Sequence, residues 1–153
     1  MALEDDVVAL ASHPTLAALE PGALRLLAFS AETRILRAGD VLFRRDDPSD
    51  GGFFILSGAV ALDPTNEGGN AARILGPGTL IGDMALIART KRPATAVARE
   101  HTSVLKIPRA LFHRILNEHP RSAERLRRHL SDRLHEFAQE LDQVRRHAYE
   151  TPD

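Results

Sequence analysis

The chain has 153 residues, 43% of them apolar and 27% charged, which suits one globular domain with a core of its own. It contains no cysteine, so disulfides, thiolate zinc sites and iron–sulfur clusters are excluded. The net charge of −1 is unevenly spread, with 11 acids against 5 bases (net −6) up to Asn70 and 10 against 15 (net +5) from Ala71.

No aromatic residues interleave the bases of the second half, which argues for a polar surface over a nucleic-acid patch. The N-terminus, MALEDDVV, is acidic where a signal peptide would be basic. No apolar run approaches a membrane span. A soluble, cytoplasmic protein is expected.

In chain order, residues Leu3 to Ala11 predict a short helix with an acidic end, and Pro14 punctuates it. Leu16, Leu19, Leu24, Leu27 and Ala28 recur at roughly helical spacing around Pro21-Gly22, which predicts two short helical pieces. At Glu32 the period changes. The segments ETRILR, VLFR, FFILS, AVAL, ARIL, TAVA and SVLKI read as strands separated by glycine turns at Gly39-Asp40, Asp50-Gly51-Gly52, Gly58, Gly68-Gly69 and Gly76-Pro77-Gly78. Short strands at this spacing predict a compact antiparallel sandwich or roll. Pro108 opens a helix with Leu111, Phe112, Ile115 and Leu116 on one face. Pro120 ends it and starts a longer one, from Arg121 to Arg146 without Pro or Gly. Its stripe of Leu130, Leu134, Phe137, Leu141 and Val144 steps four, three, four, three. That is a heptad seam, and it predicts a homodimer through this helix.

The expected division is therefore 1–31 as an N-terminal helical segment, 32–107 as a β-roll, 108–147 as C-terminal helices and 148–153 as a tail. The fold class is α+β, an antiparallel β-roll of jelly-roll type flanked by N-terminal helices and a long C-terminal helix.

The most informative stretch is LIGDMALIARTKRPATAVA, Leu80 to Ala98. It reads as a tight turn at Gly82, a very short helix, a polar loop carrying Arg92, and a strand. A helix N-terminus offers unpaired N–H groups to an anion, and an arginine fork arriving there suits a phosphate. Asp83 would repel a phosphate but can accept from a hydroxyl, as on a ribose. These residues together describe a small nucleotide pocket.

The stretch resembles the phosphate-binding cassette of cyclic nucleotide-binding domains: Gly-Glu, small and aliphatic residues, a loop, then Arg-Ala/Ser-Ala-Thr. Gly82, Met84, Ala85, Leu86, Arg92, Ala94 and Thr95 match. Asp83 stands where the family has Glu, about 1.5 Å shorter in reach. Pro93 replaces a residue with a free N–H, removing one donor to the anion, worth about 1.5–3 kcal/mol if charge-assisted. AGDVLFRRDDPSDGGFFILSGAVAL resembles the first half of the family's β-roll, so the resemblance runs from about Arg34 to the C-terminal helix.

The resemblance implies a ligand, cAMP or cGMP, held without covalent bonds by the cassette 80–95, through Gly82, Asp83, Met84, Ala85, Arg92, Pro93 and Ala94. In the catabolite activator branch, hydroxyl side chains of the long helix meet the adenine. By rough alignment those positions are Phe137 and Ala138, which carry none. Phe137 belongs to the seam or stacks on a purine. That branch continues into a DNA-binding domain. This chain ends at Asp153, so the expectation is a sensor without its usual output, read by an unknown effector protein.

No other chemistry is visible. His113, His119, His129 and His135 lack metal-ligand spacing, and Asp46, Asp47 and Asp50 lack the spacing and terminal Glu of a calcium loop. There is no nucleophile elbow or paired Ser–His. Neither a cofactor nor a catalytic residue is expected. The competing reading is a degenerate roll that serves as a dimerisation or interaction scaffold without nucleotide.

Overall fold

The computed structural model describes residues 3–65 and 73–150, apart from the side chains of Phe137 and of residues 147–150. The expected turn at Gly68-Gly69, the side chain of Phe137 and residues 151–153 lie outside the described residues. The N-terminal segment forms α1 (Leu3–Ala11), a 3-10 turn (Leu16–Ala18) and α2 (Pro21–Ser30). Pro21 starts α2 rather than interrupting it, because the missing N–H of Pro is harmless at the first helical position.

Eight strands follow among the described residues: β1 (Glu32–Leu36), β2 (Val41–Phe43), β3 (Gly51–Ser57), β4 (Val60–Asp63), β5 (Arg73–Leu75), β6 (Leu80–Ile81), β7 (Thr95–Ala98) and β8 (Thr102–Pro108). They build two antiparallel sheets, in the orders β1-β8-β3-β6 and β2-β7-β4-β5. Strand β6 is the addition to the sequence expectation; two residues are too few to show alternation. It pairs with Phe53 and Phe54 of β3 and delivers the chain to Gly82. The α+β roll with flanking helices is the architecture expected.

Strand β3 reads as an unbroken apolar run because both of its faces are covered. Phe53 and Ile55 point between the two sheets with Val60, Leu75, Ile81, Ala96 and Val104. Phe54 points the other way, into a cluster with Leu10, Leu16, Leu27, Phe112, Ile115 and Leu126 from the helices. The paired strand β8 divides likewise, with Val104 inside the roll and Leu105 and Ile107 under the helices. Lys106 lies opposite Phe53 and so enters the roll from below.

Helices α3 (Arg109–Glu118) and α4 (Pro120–Glu150) close the domain. At 31 residues α4 is about 46 Å long. Its first turns are anchored: Leu126 is in the core, and buried Ser122 accepts a hydrogen bond from the Glu20 N–H at 2.8 Å. Leu130 still packs on the domain. Beyond it, Leu134, Leu141 and Val144 are 65%, 53% and 66% exposed.

The turn from β3 to β4 depends on Gly58, at φ +93°. A Cβ there would lie 2.4 Å from Thr102 Oγ1 and 2.6 Å from the His101 carbonyl oxygen. The neighbour cannot yield, since Thr102 is buried and its hydroxyl bonds the carbonyls of Ala59 and Glu100. Gly58→Ala is expected to destabilise the domain by about 2–4 kcal/mol, through backbone strain and overpacking together. Urea denaturation checks this, and a loss under about 1 kcal/mol would mean that the turn relaxes freely.

Candidate functional site

Gly82–Ala85 and Thr90–Ala94 line a cavity of about 450 Å³ together with Phe43, Leu62, Arg73 and Leu75 from the strands. Gly82 takes φ +82° and leads into a 3-10 turn at Met84–Leu86. The helix expected after Gly82 is thus a single 3-10 turn. A Cβ at Gly82 would also come within 2.8 Å of Arg92 Nη1, so a side chain there would have to displace the guanidinium.

Arg92 is 4% exposed, a burial that charged residues accept only with partners. Its Nη2 donates to the Gly51 carbonyl at 2.8 Å and lies 3.8 Å from Asp50 Oδ1. The guanidinium carbon sits 4.4 Å from the ring centre of Phe43 and 5.5 Å from that of Phe53. Each such cation–π contact contributes about 0.5–2 kcal/mol. The backbone is pinned too: Arg92 N–H donates to the Asp47 carbonyl, and the Arg92 carbonyl accepts from Asp46 N–H, both at 2.8 Å. Burial lowers the Arg92 pKa, the charges of Asp50 and Asp47 oppose that, and Arg109 adds to it. The group stays charged, since guanidinium does not deprotonate in proteins.

Asp50 is shared. Its Oδ2 meets Lys106 Nζ at 3.0 Å. Burial works against the ionised carboxyl, but the hydrogen bond and charge of Lys106, with Arg92, hold its pKa below the ordinary value. Two cations thus converge on one carboxylate, and one of them, Arg92, lines the cavity. An anion entering the cavity would complete the neutralisation.

Asp83 is already engaged. Its Oδ1 accepts from the Met84 N–H at 2.8 Å, and its Oδ2 pairs with Arg133 Nη1 of α4 at 3.1 Å. A ribose hydroxyl would have to share this carboxylate with Arg133. Met84 is exposed at the rim, Ala85 and Ala94 are buried, and Pro93 lines the cavity without an N–H to offer. Arg89 and Lys91 are exposed. Arg109 ties the 3-10 turn to the β2–β3 loop: Nε donates to the Ala85 carbonyl at 2.8 Å and Nη2 to the Ser49 carbonyl at 2.7 Å.

Phe43, Phe53, Asp50, Lys106, Arg73 and Arg133 were not among the residues expected at the site. For the strand residues Phe43, Phe53, Arg73 and Lys106 the only signal was alternation, which marks a face but not which neighbour it meets; Asp50 in a loop and Arg133 on α4 carried none. Ala138 on α4 is exposed and carries no polar side-chain atom; the Phe137 side chain lies outside the described residues. No cluster of potential metal ligands occurs among the described residues, and no described helix is long and apolar enough to cross a membrane.

A family model described as the cyclic nucleotide-binding domain matches residues 33–119. The chain is 29% identical over 133 residues to lysophospholipase nte1 of Neurospora crassa, a match covering 86% of this chain and 9% of that protein. It therefore spans less than a tenth of that curated relative. Among solved structures it is similar to a cyclic nucleotide-binding-like protein from Brucella abortus (41% identity, TM-score 0.68, covering 74% of this chain and 98% of that one). It is also similar to the N-terminal domain of a transcriptional regulator from Streptomyces coelicolor (29% identity, TM-score 0.80, covering 87% and 94%).

Behind the Asp83–Arg133 pair lies His13, whose Nδ1 accepts from the Thr15 N–H at 3.1 Å, while Thr15 Oγ1 meets His129 Nε2 at 3.3 Å. Burial lowers the His13 pKa, Asp83 opposes this, and Arg133 and His129 reinforce it. The fold prefers the neutral ring, so the unfolded chain takes the proton more readily. The His13 contribution is complete above its ordinary value of 6.5 and is lost as pH falls below it. Between about pH 8 and about pH 5, melting temperature should fall less in His13→Asn than in the wild type. Equal falls would show that His13 does not carry the dependence.

Proposed function

The chain belongs to the cyclic nucleotide-binding domain family, and we propose that it is a non-catalytic sensor module that binds cAMP or cGMP and relays occupancy through its C-terminal helices. The observation that carries this is Arg92, a buried, incompletely neutralised cation lining a cavity of nucleotide size. In this reading the cyclic phosphate meets Arg92 and the backbone around Gly82–Ala85, and the ribose hydroxyl meets Asp83.

Relay follows from the same contacts. Asp83 touches α4 through Arg133, and the 3-10 turn touches α3 through Arg109. A ligand that draws on Asp83 changes the balance of its bond to Arg133, and so favours one placement of α4 over another. The expected setting is the cytoplasm. An effector protein reads the placement of α4, and the module works as a homodimer through the exposed stripe of Leu134, Leu141 and Val144.

Two observations favour the second reading, a nucleotide-free scaffold: Asp83 is satisfied by Met84 and Arg133, and Pro93 removes a donor. Titration calorimetry of cAMP and cGMP into refolded, nucleotide-stripped protein separates the readings. The sensor binds at micromolar or tighter affinity and loses about 10- to 100-fold in Arg92→Ala. Arg92→Lys, which keeps the charge but not the fork, guards against a folding defect and should fall between the two. No heat from folded wild-type protein would establish the scaffold.

The dimer has its own test. Leu134→Glu with Leu141→Glu should convert a dimer to a monomer in sedimentation equilibrium without changing the melting profile of the roll. A monomeric wild type would remove the seam from the proposal.

A further inference from the structure

The long helix α4 is held to the domain by polar contacts that lie outside both sheets. Its start is fixed by the Glu20 N–H, bonded to Ser122 Oγ at 2.8 Å, and by Leu126 in the core. Further along, His129 Nε2 lies 3.3 Å from Oγ1 of Thr15, a residue only 3% exposed. Arg133 comes four residues later, on the same face of the helix, and its Nη1 holds Asp83 Oδ2 at 3.1 Å. One contact ties α4 to the N-terminal segment and the other ties it to the cassette.

His13 sits at the joint between them. Its backbone is fixed, since its N–H donates to the Leu10 carbonyl at 3.2 Å and its carbonyl accepts from the Ala17 N–H at 2.8 Å. Its ring Nδ1 accepts from the Thr15 N–H at 3.1 Å. That bond demands a lone pair on Nδ1, whereas an imidazolium carries N–H on both nitrogens and only donates. The titratable and charged groups that face the ring are Asp83 of the cassette and Arg133 and His129 of α4. Burial is the largest influence against protonation, Asp83 favours it, and the two α4 groups oppose it.

Protonating the ring has two local consequences. The Thr15 N–H loses its acceptor, which loosens the residue that His129 meets. The new cation also repels Arg133 and competes with it for Asp83. We propose that His13 is a pH-operated latch on α4: its protonation releases Arg133 from Asp83, and the freed carboxylate oxygen opens to the ribose hydroxyl. Proton and nucleotide then favour the same placement of α4, so each strengthens the binding of the other. This regulation rests on the sensor reading above. The ordinary value for the ring is 6.5, and the latched form takes its proton below that. Between about pH 8 and about pH 5.5 the released form therefore gains on the latched one.

The test uses the full, nucleotide-stripped chain at those two pH values. Asn and Ser side chains accept from the N–H two residues on but do not titrate, so His13→Asn and His13→Ser keep the loop and remove the switch. Each variant is checked by thermal melt. The chain has no cysteine, so Ala38→Cys with Ala138→Cys, both at exposed positions, takes spin labels selectively. Double electron–electron resonance then reads the distance from the roll to α4, in samples diluted with unlabelled chain.

Calorimetry should show cAMP and cGMP binding the wild type about 5- to 10-fold tighter at the lower pH. In both variants the affinities should agree between the two pH values within about twofold. The nucleotide-free wild type should gain a second roll-to-helix distance at the lower pH that the variants lack. Distances that do not change with pH in the wild type overturn the latch, and a change that persists in both variants overturns its assignment to His13. A His13-dependent change in distance with pH-independent affinity overturns the coupling to the site. Binding of neither nucleotide at either pH overturns the sensor reading and the coupling with it, while the distances still decide the latch.

Discussion

The structure depends on keeping one guanidinium charged inside a protein core. Desolvating a cation costs several kcal/mol unless partners replace the water. Arg92 has a backbone carbonyl, a distant carboxylate and two phenyl faces in that role. Each partner comes from a different place: Phe43 from β2, Phe53 and Gly51 from β3, Asp50 from the loop between them. The two sheets must therefore meet at the correct separation before the charge is satisfied. On its other side Arg92 packs so closely on Gly82 that a Cβ there would lie 2.8 Å from Nη1.

Much of the fold was legible because it obeys local rules. Glycine turns punctuated the strands, apart from Gly51-Gly52, which falls within β3; FFILS was readable as a strand, and Pro108 and Pro120 marked the helix starts. Strand β6 was not legible, since Leu80-Ile81 is too short to show a period. The cassette could be read as a linear motif, so Gly82, Asp83 and Arg92 were identifiable. Their partners were not. Asp50 lies 42 residues before Arg92 and Arg133 lies 50 after Asp83. Nothing local to Asp50 or Arg133 distinguishes them from surface charges. Long-range pairing is set by sheet closure and by where α4 crosses the domain, and neither has a signature within a short window.

The Asp83 position illustrates how a small chemical change redirects an interaction. With one methylene fewer, its carboxylate stays close to its own backbone and bonds the Met84 N–H. The other oxygen is then available to α4. One side chain thus belongs to the cavity, to the 3-10 turn and to the long helix at once. Arg109 makes a second connection of this kind, joining the Ala85 carbonyl to the Ser49 carbonyl and hydroxyl. The cassette is consequently bracketed by two arginines carried on helices, one at the start of α3 and one midway along α4.

The loop between β2 and β3 has an unusual status as a result. Surface connections ordinarily tolerate changes of length. Here Asp46 and Asp47 grip both backbone groups of Arg92, Ser49 bonds Thr90 and Arg109, and Asp50 balances the buried charge. Adding or deleting a single residue in this stretch would move the backbone clamp and the counter-charge together. The loop is exposed to solvent yet held to a fixed length, so divergence among related chains should accumulate by substitution there and not by insertion or deletion.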